Sequence, residues 1–190
     1  MAAFLRVVSR ISWAAMTELP RHSVSVTGVV FREDGRVLAI QRSDDGRWVP
    51  PGGVLELGET PPDGVTREVL EETGVKVQAD QLTGVYKNMR LGVVTLAFRC
   101  SVIGGQTHPT SEARKVAWLT VDEATRDMPE ARAIRVTDAL SDEGPFVRVH
   151  DGTHLLLQVS PQLQGRTFGA PSLTARTRTA RNGHSQQGER

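Results

Sequence analysis

The chain has 190 residues, 38% of them hydrophobic and 24% charged, and its formal net charge is +1. This length can bury the core of one domain, and no apolar run approaches the roughly 18 residues that a membrane-spanning helix needs. Cys100 is the only cysteine, which excludes an internal disulfide, and we interpret it as a small core residue. We expect a cytoplasmic protein.

The charged residues are unevenly distributed along the chain. Residues 1–22 carry three arginines and one glutamate, and residues 163–190 carry five arginines and one glutamate, so the body between them is acidic. An acidic body suits a cation-dependent site and argues against nucleic-acid binding through that body. Because polar residues dominate after position 161, residues 162–190 are predicted to be a disordered tail.

The first segment, residues 1–22, is predicted to be an N-terminal extension. Its first 15 residues are apolar, bear arginines and lack acidic residues. A targeting peptide, an amphipathic surface helix and an extension upstream of a start at Met16 all fit this composition. The arginines interrupt the apolar run and no clear cleavage site follows, which favours the extension or a loosely attached helix.

Two strands are predicted over 24–31 and 37–42, because a β-rich run lies on each side of an Asp-Gly pair at 34–35. A second turn precedes Trp48. The Pro-Pro-Gly-Gly sequence at 50–53 is then predicted to form a stiff segment that ends in two glycines and leads toward the next helix. Glycine lets the backbone come close to a metal or a phosphate.

A capped helix is predicted between Thr60 and Gly74. Thr60 can serve as the N-cap, with a proline at the first helical position, and Gly74 can adopt the left-handed conformation that ends a helix. Val65 and Val69, together with Leu70, are predicted to form its buried face.

Three carboxylates of this helix, on Glu68, Glu71 and Glu72, stand at i, i+3 and i+4, within an arc of roughly 100°. Like charges so placed repel each other, whereas Mg²⁺ and Mn²⁺ prefer oxygen ligands. Mg²⁺ usually takes one or two carboxylates and fills its other positions with water and substrate phosphates. Such an open cluster suits diphosphate chemistry, although a solvated acidic face shows the same spacing.

Further strands are predicted over 76–87, 92–103 and 116–119, followed by a short helix capped at Thr120 and a longer one over 130–140. Together these elements predict an α/β domain. It has a mixed β-sheet with helices on its faces, arranged as an α/β/α sandwich.

An additional β-hairpin is predicted over 142–161, after a main domain of residues 23–141. Two β-rich runs flank an Asp-Gly pair, which favours a two-residue turn. We expect a sheet edge or a lid, with a dimer contact or a substrate wall as alternatives. His150 and His154 are interpreted as surface residues, since a metal site would need further partners.

Residues 53–75 resemble the signature of the Nudix hydrolase family, G-x5-E-x7-R-E-U-x-E-E-x-G-U with U apolar, at every specified position. The signature covers about an eighth of the chain, and similarity in layout extends over roughly residues 23–140. The resemblance implies a hydrolase in which water attacks a phosphorus atom of a nucleoside diphosphate linked to another moiety. It also implies Mg²⁺ or Mn²⁺ as the cofactor.

The resemblance implies a role for each signature residue. Those that would hold the metal ions, three through side chains and one through its backbone carbonyl, are Glu68, Glu71, Glu72 and Gly53. Those that would support the loop and the helix are Arg67, Glu59, Gly52 and Gly74.

A general base must take the proton from the attacking water, and two residues are candidates. Glu71 lies on the signature helix, and Glu112 precedes the strand over 116–119. Many family members carry an acid three residues before the tryptophan of that strand. Here the position is Lys115, which weakens the case for a base from the loop.

The signature specifies a reaction and leaves the substrate open. Four side chains could stack on a base or hold a phosphate, and each has a simpler interpretation: Trp48 and Phe98 as core, Arg42 and Tyr86 as surface. Family patterns for dinucleoside polyphosphate, ADP-ribose and coenzyme A hydrolases are not found, which leaves nucleoside triphosphates, including oxidised ones, or a nucleotide sugar. The alternative is a nucleotide sensor without turnover. The intact glutamates of the signature favour the enzyme over the sensor. The sequence is also compatible with a homodimer.

Overall fold

The computed structural model describes residues 20–158. The predicted tail over 162–190 and most of the extension over 1–22 lie outside the described residues. The elements, in chain order, are β1 Ser23–Phe31, β2 Val37–Arg42, β3 Trp48–Val49, α1 Pro61–Thr73, β4 Val75–Asn88, β5 Val93–Gly105, β6 Ala113–Leu119, α2 Val121–Asp127, α3 Glu130–Leu140, β7 Phe146–His150 and β8 Leu155–Gln158. None of these helices is long and apolar enough to span a membrane.

All eight strands belong to one mixed sheet. Its order is β3-β2-β1-β5-β4-β7-β8, and β6 pairs with β2 beside this path. β1 runs parallel to β5, and β4 runs parallel to β7. The long β4 and β5 are antiparallel. The predicted mixed sheet is confirmed, and the additional hairpin extends it at one edge.

The strand β1 shows why helices cover both faces of the sheet. Successive residues of a strand point to opposite faces. Val26 and Val30 therefore pack against Val65 and Val69 of α1, while Val29 belongs to the opposite core with residues of α2 and α3. Apolar side chains buried on both faces need a helix layer on each side. The α/β/α sandwich is confirmed.

Two predictions of burial in the main domain, residues 23–141, were wrong. Leu70 is an exposed residue of α1, because it is rotated about 100° from Val69 and turns away from the sheet. Tyr86 was expected at the surface and is fully buried on β4. Its hydroxyl donates a hydrogen bond of 2.8 Å to Asp138, which also binds Arg148. The polar end of the tyrosine is thus satisfied inside the protein.

The hairpin prediction was right in its strands and wrong in its turn. β7 and β8 pair antiparallel, but four residues, 151–154, separate them. Asp151 explains the longer loop, because its carboxylate accepts hydrogen bonds of 2.8 Å from the backbone N–H groups of both Thr153 and His154. A side chain that binds its own backbone in this way offers an alternative to the two-residue turn.

Candidate functional site

The helix α1 has the ends that its sequence predicts. Thr60 lies in an extended conformation, and its side chain accepts a hydrogen bond from the Asp63 N–H. Gly74 has φ 77°, and its N–H donates to the Leu70 carbonyl at 2.8 Å. A Cβ at Gly74 would collide with the ring of His108. These caps fix which residues of α1 face the sheet.

A glycine of β1 allows α1 to lie close to the sheet. A Cβ added at Gly28 would lie 2.6 Å from the Val69 side chain and 3.3 Å from that of Val65. Such distances are shorter than van der Waals contact, so a larger residue would push the helix outward. This close approach brings the carboxylates of Glu68 and Glu72 against the backbone that follows β3.

That backbone, residues 51–55, runs alongside β1. The Gly53 carbonyl accepts a hydrogen bond of 2.9 Å from Val26, and the Pro51 carbonyl accepts one of 3.0 Å from Gly28. Gly52 has φ 153°, and a Cβ there would collide with the carbonyl oxygen of Val26. This position therefore requires glycine.

Two carboxylates of α1 are held against these glycines. Glu68 is 9% exposed and Glu72 is 5% exposed. The N–H of Gly52 donates to Oε2 of Glu72 at 2.7 Å. A Cβ at Gly53 would lie 2.5 Å from the Glu68 carboxylate, so only the absence of a side chain lets that carboxylate approach.

Burial changes the acidity of both groups. It raises the pKa of Glu72 to about 7, against the opposing hydrogen bond from Gly52, and the nearby charges of Glu68 and Glu112 raise it further. Burial also raises the pKa of Glu68, although its hydrogen bond and attraction to Arg67 work in the opposite direction. Two nearly buried carboxylates that resist ionisation form a site that a cation would stabilise.

Arg67 connects the carboxylates of the signature. Its guanidinium donates to both oxygens of Glu59, at 2.5 and 2.9 Å, and to the Val54 carbonyl at 3.2 Å. One nitrogen, Nη1, also lies 2.9 Å from Glu68 and 3.0 Å from Glu71. Bidentate pairing of this kind fixes the orientation of the side chains involved. The contacts agree with the supporting role predicted for Arg67 and Glu59.

The remaining two predicted acids, Glu71 and Glu112, are exposed. The side chain of Glu71 is 59% exposed and is bound by Arg67. Glu112 precedes β6, where its carbonyl accepts a hydrogen bond of 3.0 Å from Ser43. Its negative charge raises the pKa of both Glu68 and Glu72.

The donor set suits an open site for a divalent cation. Among the described residues, no three histidine, cysteine or acidic side chains converge as a complete ligand set. If Glu68, Glu72 and the Gly53 carbonyl held such a cation, the remaining positions would be open to water and phosphate oxygens. Mg²⁺ is usually bound in that manner.

A cavity of about 330 Å³ lies beside these glycines. Gly52 and Gly53 line one side of it, and α3 and the loop after β7 line the other. Polar side chains on its wall include those of Thr27, Arg42, Asn88, Arg132, Arg135 and His150.

Most of these lining residues were missed from the sequence. His150 was interpreted as a surface residue and is 1% exposed, because the loop after β7 folds its backbone over the ring. His154 is exposed as expected. One signal was available: Arg135 interrupts the buried stripe formed by Ala131 and Ala139 on α3. A charge within an apolar stripe indicates a special environment.

Comparison with known proteins decides the family. The family model described as the NUDIX domain matches residues 21–140. The chain belongs to the Nudix family. A MutT-like protein of Streptomyces ambofaciens is 59% identical over 140 residues, covering 74% of this chain and 91% of that protein. An ADP-ribose pyrophosphatase of Methanocaldococcus jannaschii is 32% identical over 107 residues, covering 53% of this chain and 63% of that protein.

The fold of a solved Nudix structure agrees with this one. The crystal structure of an ADP-ribose pyrophosphatase from Streptococcus suis superposes with a TM-score of 0.57 at 24% identity, covering 68% of this chain and 100% of that chain. The Nudix pyrophosphohydrolase class and its general use of a divalent metal are therefore confirmed. The additional hairpin lies outside the residues that the family model matches.

The Nudix fold also places the four side chains considered for substrate contact. Phe98 is buried in the α1 core, and Trp48 is half-buried against the opposite core, as predicted. Tyr86 lies beneath Arg135, whose guanidinium is 5.1 Å from the ring centroid. Of the four, only Arg42 lines the cavity, and it forms an ion pair with Asp44.

Proposed function

We propose that this Nudix hydrolase cleaves a phosphoanhydride bond in a nucleoside diphosphate linked to another group, with Mg²⁺ or Mn²⁺ held by Glu68, Glu72 and the Gly53 carbonyl. The observation that carries the proposal is the pair of nearly buried carboxylates against a glycine backbone. A divalent cation converts their mutual repulsion into attraction. Its open positions then suit the oxygens of a diphosphate.

The surrounding residues position this pair. Gly52 orients Glu72 through its N–H, and Arg67, itself held by Glu59, orients Glu68. When bound, the metal supplies neutralisation of phosphate charge and a lower pKa for a bound water. Glu71 lies at the exposed end of the same ion-pair network, where it would bind a metal only after leaving Arg67.

Two carboxylates compete for the role of general base, and the contacts support Glu112 over Glu71. The charge of Glu112 acts on both buried glutamates while its side chain has no ion pair among the described residues, whereas Glu71 is engaged by Arg67. Replacing Glu112 by Gln should then lower kcat by about 100-fold or more, the range expected for loss of a general base. Glu71→Gln should cost less. The reverse order in steady-state kinetics would assign the base to Glu71.

The substrate is proposed to be a nucleoside triphosphate, including an oxidised one, or a nucleotide sugar. The names of the relatives support both groups: a MutT-like protein on one side, and ADP-ribose pyrophosphatases on the other. ADP-ribose is itself a nucleoside diphosphate linked to a sugar, although the family pattern for its hydrolases was not found in the sequence.

A panel assay tests the proposal. Nucleoside triphosphates, 8-oxo-dGTP, ADP-ribose and UDP-glucose would each be incubated with the enzyme and Mg²⁺ or Mn²⁺, and the nucleoside monophosphate formed would be measured by chromatography. We expect monophosphate from at least one compound, and none after addition of EDTA. Tight nucleotide binding without any monophosphate would instead favour the sensor.

A further inference from the structure

The cavity beside the glycines contains a buried cation without a counter-charge. Arg135 is 3% exposed. Its Nη1 donates to the hydroxyl of Thr27 at 2.9 Å, while its Nε and Nη2 are buried and have no hydrogen-bond partner. An unpaired guanidinium in a protein interior costs several kcal/mol. Burial, with the neighbouring charge of Arg132, lowers the pKa of Arg135 well below its usual range.

A second unsatisfied donor lines the same cavity. His150 is 1% exposed, and its Nδ1 accepts a hydrogen bond of 3.0 Å from the N–H of Gly152. The ring is therefore protonated on Nε2, and that atom is buried without a partner. Arg135 and Arg132 lie close enough for their charges to act on His150. The three groups thus form one cationic cluster of hydrogen-bond donors.

The acidic residues near the cavity offset the charge of this cluster only in part, since Asp45 acts on Arg132 and Asp151 acts on His150, but neither acts on Arg135. Among the described residues that line the cavity, the acids are Asp44 and Asp45. Both are held at the surface by arginines: Asp44 by Arg42, and Asp45 by Arg42 and Arg47. Arg132 makes no side-chain hydrogen bond or ion pair within residues 20–158.

The cluster lies within reach of a ligand bound at the carboxylates. The Thr27 hydroxyl that Arg135 binds is 3.1 Å from the position of a Cβ at Gly52, and the N–H of Gly52 binds Glu72. The cavity volume of about 330 Å³ falls in the range of small-molecule sites, which begins at roughly 300 Å³. One molecule could therefore place a diphosphate at the carboxylates and another group beside Arg135.

We propose that this cavity recognises a phosphate or carboxylate group of the substrate, distinct from the diphosphate that is cleaved, through Arg135, Arg132 and the Nε2–H of His150. The inference rests on the proposed function for the placement of the diphosphate. The preferred substrates are therefore nucleoside diphosphate derivatives that carry one additional anionic group, either on the nucleoside or on the linked moiety.

Two pairs of compounds that differ by one anionic group test the inference. UDP-glucuronate and UDP-glucose differ by a carboxylate on the sugar, and ADP-ribose 2′-phosphate and ADP-ribose differ by a phosphate on the nucleoside. Kd would be measured by calorimetry in EDTA, where hydrolysis plays no part. We expect the anionic member of at least one pair to bind about tenfold tighter or more, as for a charge-assisted hydrogen bond. The pair that responds identifies which end carries the anion.

Substitutions connect that preference to the cluster. Arg135→Met should remove the preference, and Arg132→Met, at a less buried position, should reduce it. Arg126→Met is the matched control, because Arg126 is exposed and paired with Asp127 away from the cavity. It should leave the preference unchanged. If Arg135→Met fails to fold, the comparison of paired compounds in the wild-type protein and in Arg132→Met still decides the question.

The inference is overturned if neither pair shows a preference, or if the preference survives in both Arg135→Met and Arg132→Met. It is also overturned if the nucleoside 8-oxo-2′-deoxyguanosine, which carries no anionic group, binds tighter than both anionic compounds, since the donors would then recognise base carbonyls. Turnover separates the two proposals. Anion preference in binding without hydrolysis of any compound would contradict the proposed function alone, and hydrolysis without anion preference would contradict this inference alone.

Discussion

At the scale of single residues, the protein buries charged side chains in its interior, where they are destabilising. Glu68 and Glu72 are almost fully buried beside each other, and Arg135 is buried in the wall of the cavity that Gly52 and Gly53 also line. Buried ionised groups are destabilising unless they find partners. In both places the missing partner would be supplied by a ligand: a cation at the glutamates and an anion at the arginine.

His150 gives a prediction about pH. Burial, and then the charges of Arg135 and Arg132, lower its pKa to about 4. As the pH falls from about 7 toward 4, His150 becomes protonated in the unfolded chain but stays neutral in the folded chain. The free energy of unfolding therefore decreases. His150→Gln should remove about 1–3 kcal/mol of this decrease.

Urea unfolding at several pH values, without ligand, measures the effect. His154→Gln is the control, because His154 is exposed on the same loop. It should follow the wild-type pH profile. Parallel profiles for wild type and His150→Gln would show that His150 does not titrate differently in the folded state.

At the scale of elements, the loop over 51–55 decides the geometry of the site. Its hydrogen bonds to β1 place Gly52 and Gly53 against the carboxylates of α1. Because the φ of Gly52 is 153° and a Cβ there meets backbone, Gly52→Ala should destabilise the fold by about 2–4 kcal/mol and lower kcat.

Gly58 provides the matched control for this change. It lies in the same connection, has no positive φ, and a Cβ there would meet no atom within 4 Å. Gly58→Ala should change the free energy of unfolding by less than about 1 kcal/mol and leave kcat unchanged. Equal effects of the two substitutions in urea unfolding and kinetics would show that the loop conformation does not require glycine at 52.

At the scale of the whole molecule, the sequence predicted what local chemistry determines. The β-rich runs on each side of an Asp-Gly pair predicted β1 and β2, and Thr60 and Gly74 predicted the limits of α1, since turns and caps are local signals. The layered fold followed from these elements. Of the three glutamates that the signature implied as metal ligands, the structure holds Glu68 and Glu72 against the glycines.

What the sequence could not predict depends on contacts distant in the chain. Tyr86 is buried because Asp138, 52 residues later, accepts a hydrogen bond from its hydroxyl. Arg135 meets Thr27 across 108 residues. His150 was interpreted as a surface residue because its role depends on β7 pairing with β4. No periodicity within a short window reports such pairings, so the cavity became visible only in the structure.

The central claim is that a divalent cation at Glu68 and Glu72 directs water to a phosphorus atom. The most direct test is hydrolysis of the best compound of the panel in ¹⁸O-enriched water with Mg²⁺, with the products examined by mass spectrometry. Wild-type protein should place one ¹⁸O in a phosphate product, EDTA should stop the reaction, and Glu72→Gln should slow it by about 100-fold or more while the fold survives. Glu33→Gln, an exposed turn residue, should behave as wild type. Undiminished turnover in Glu72→Gln, or ¹⁸O found only outside the phosphates, would contradict the claim.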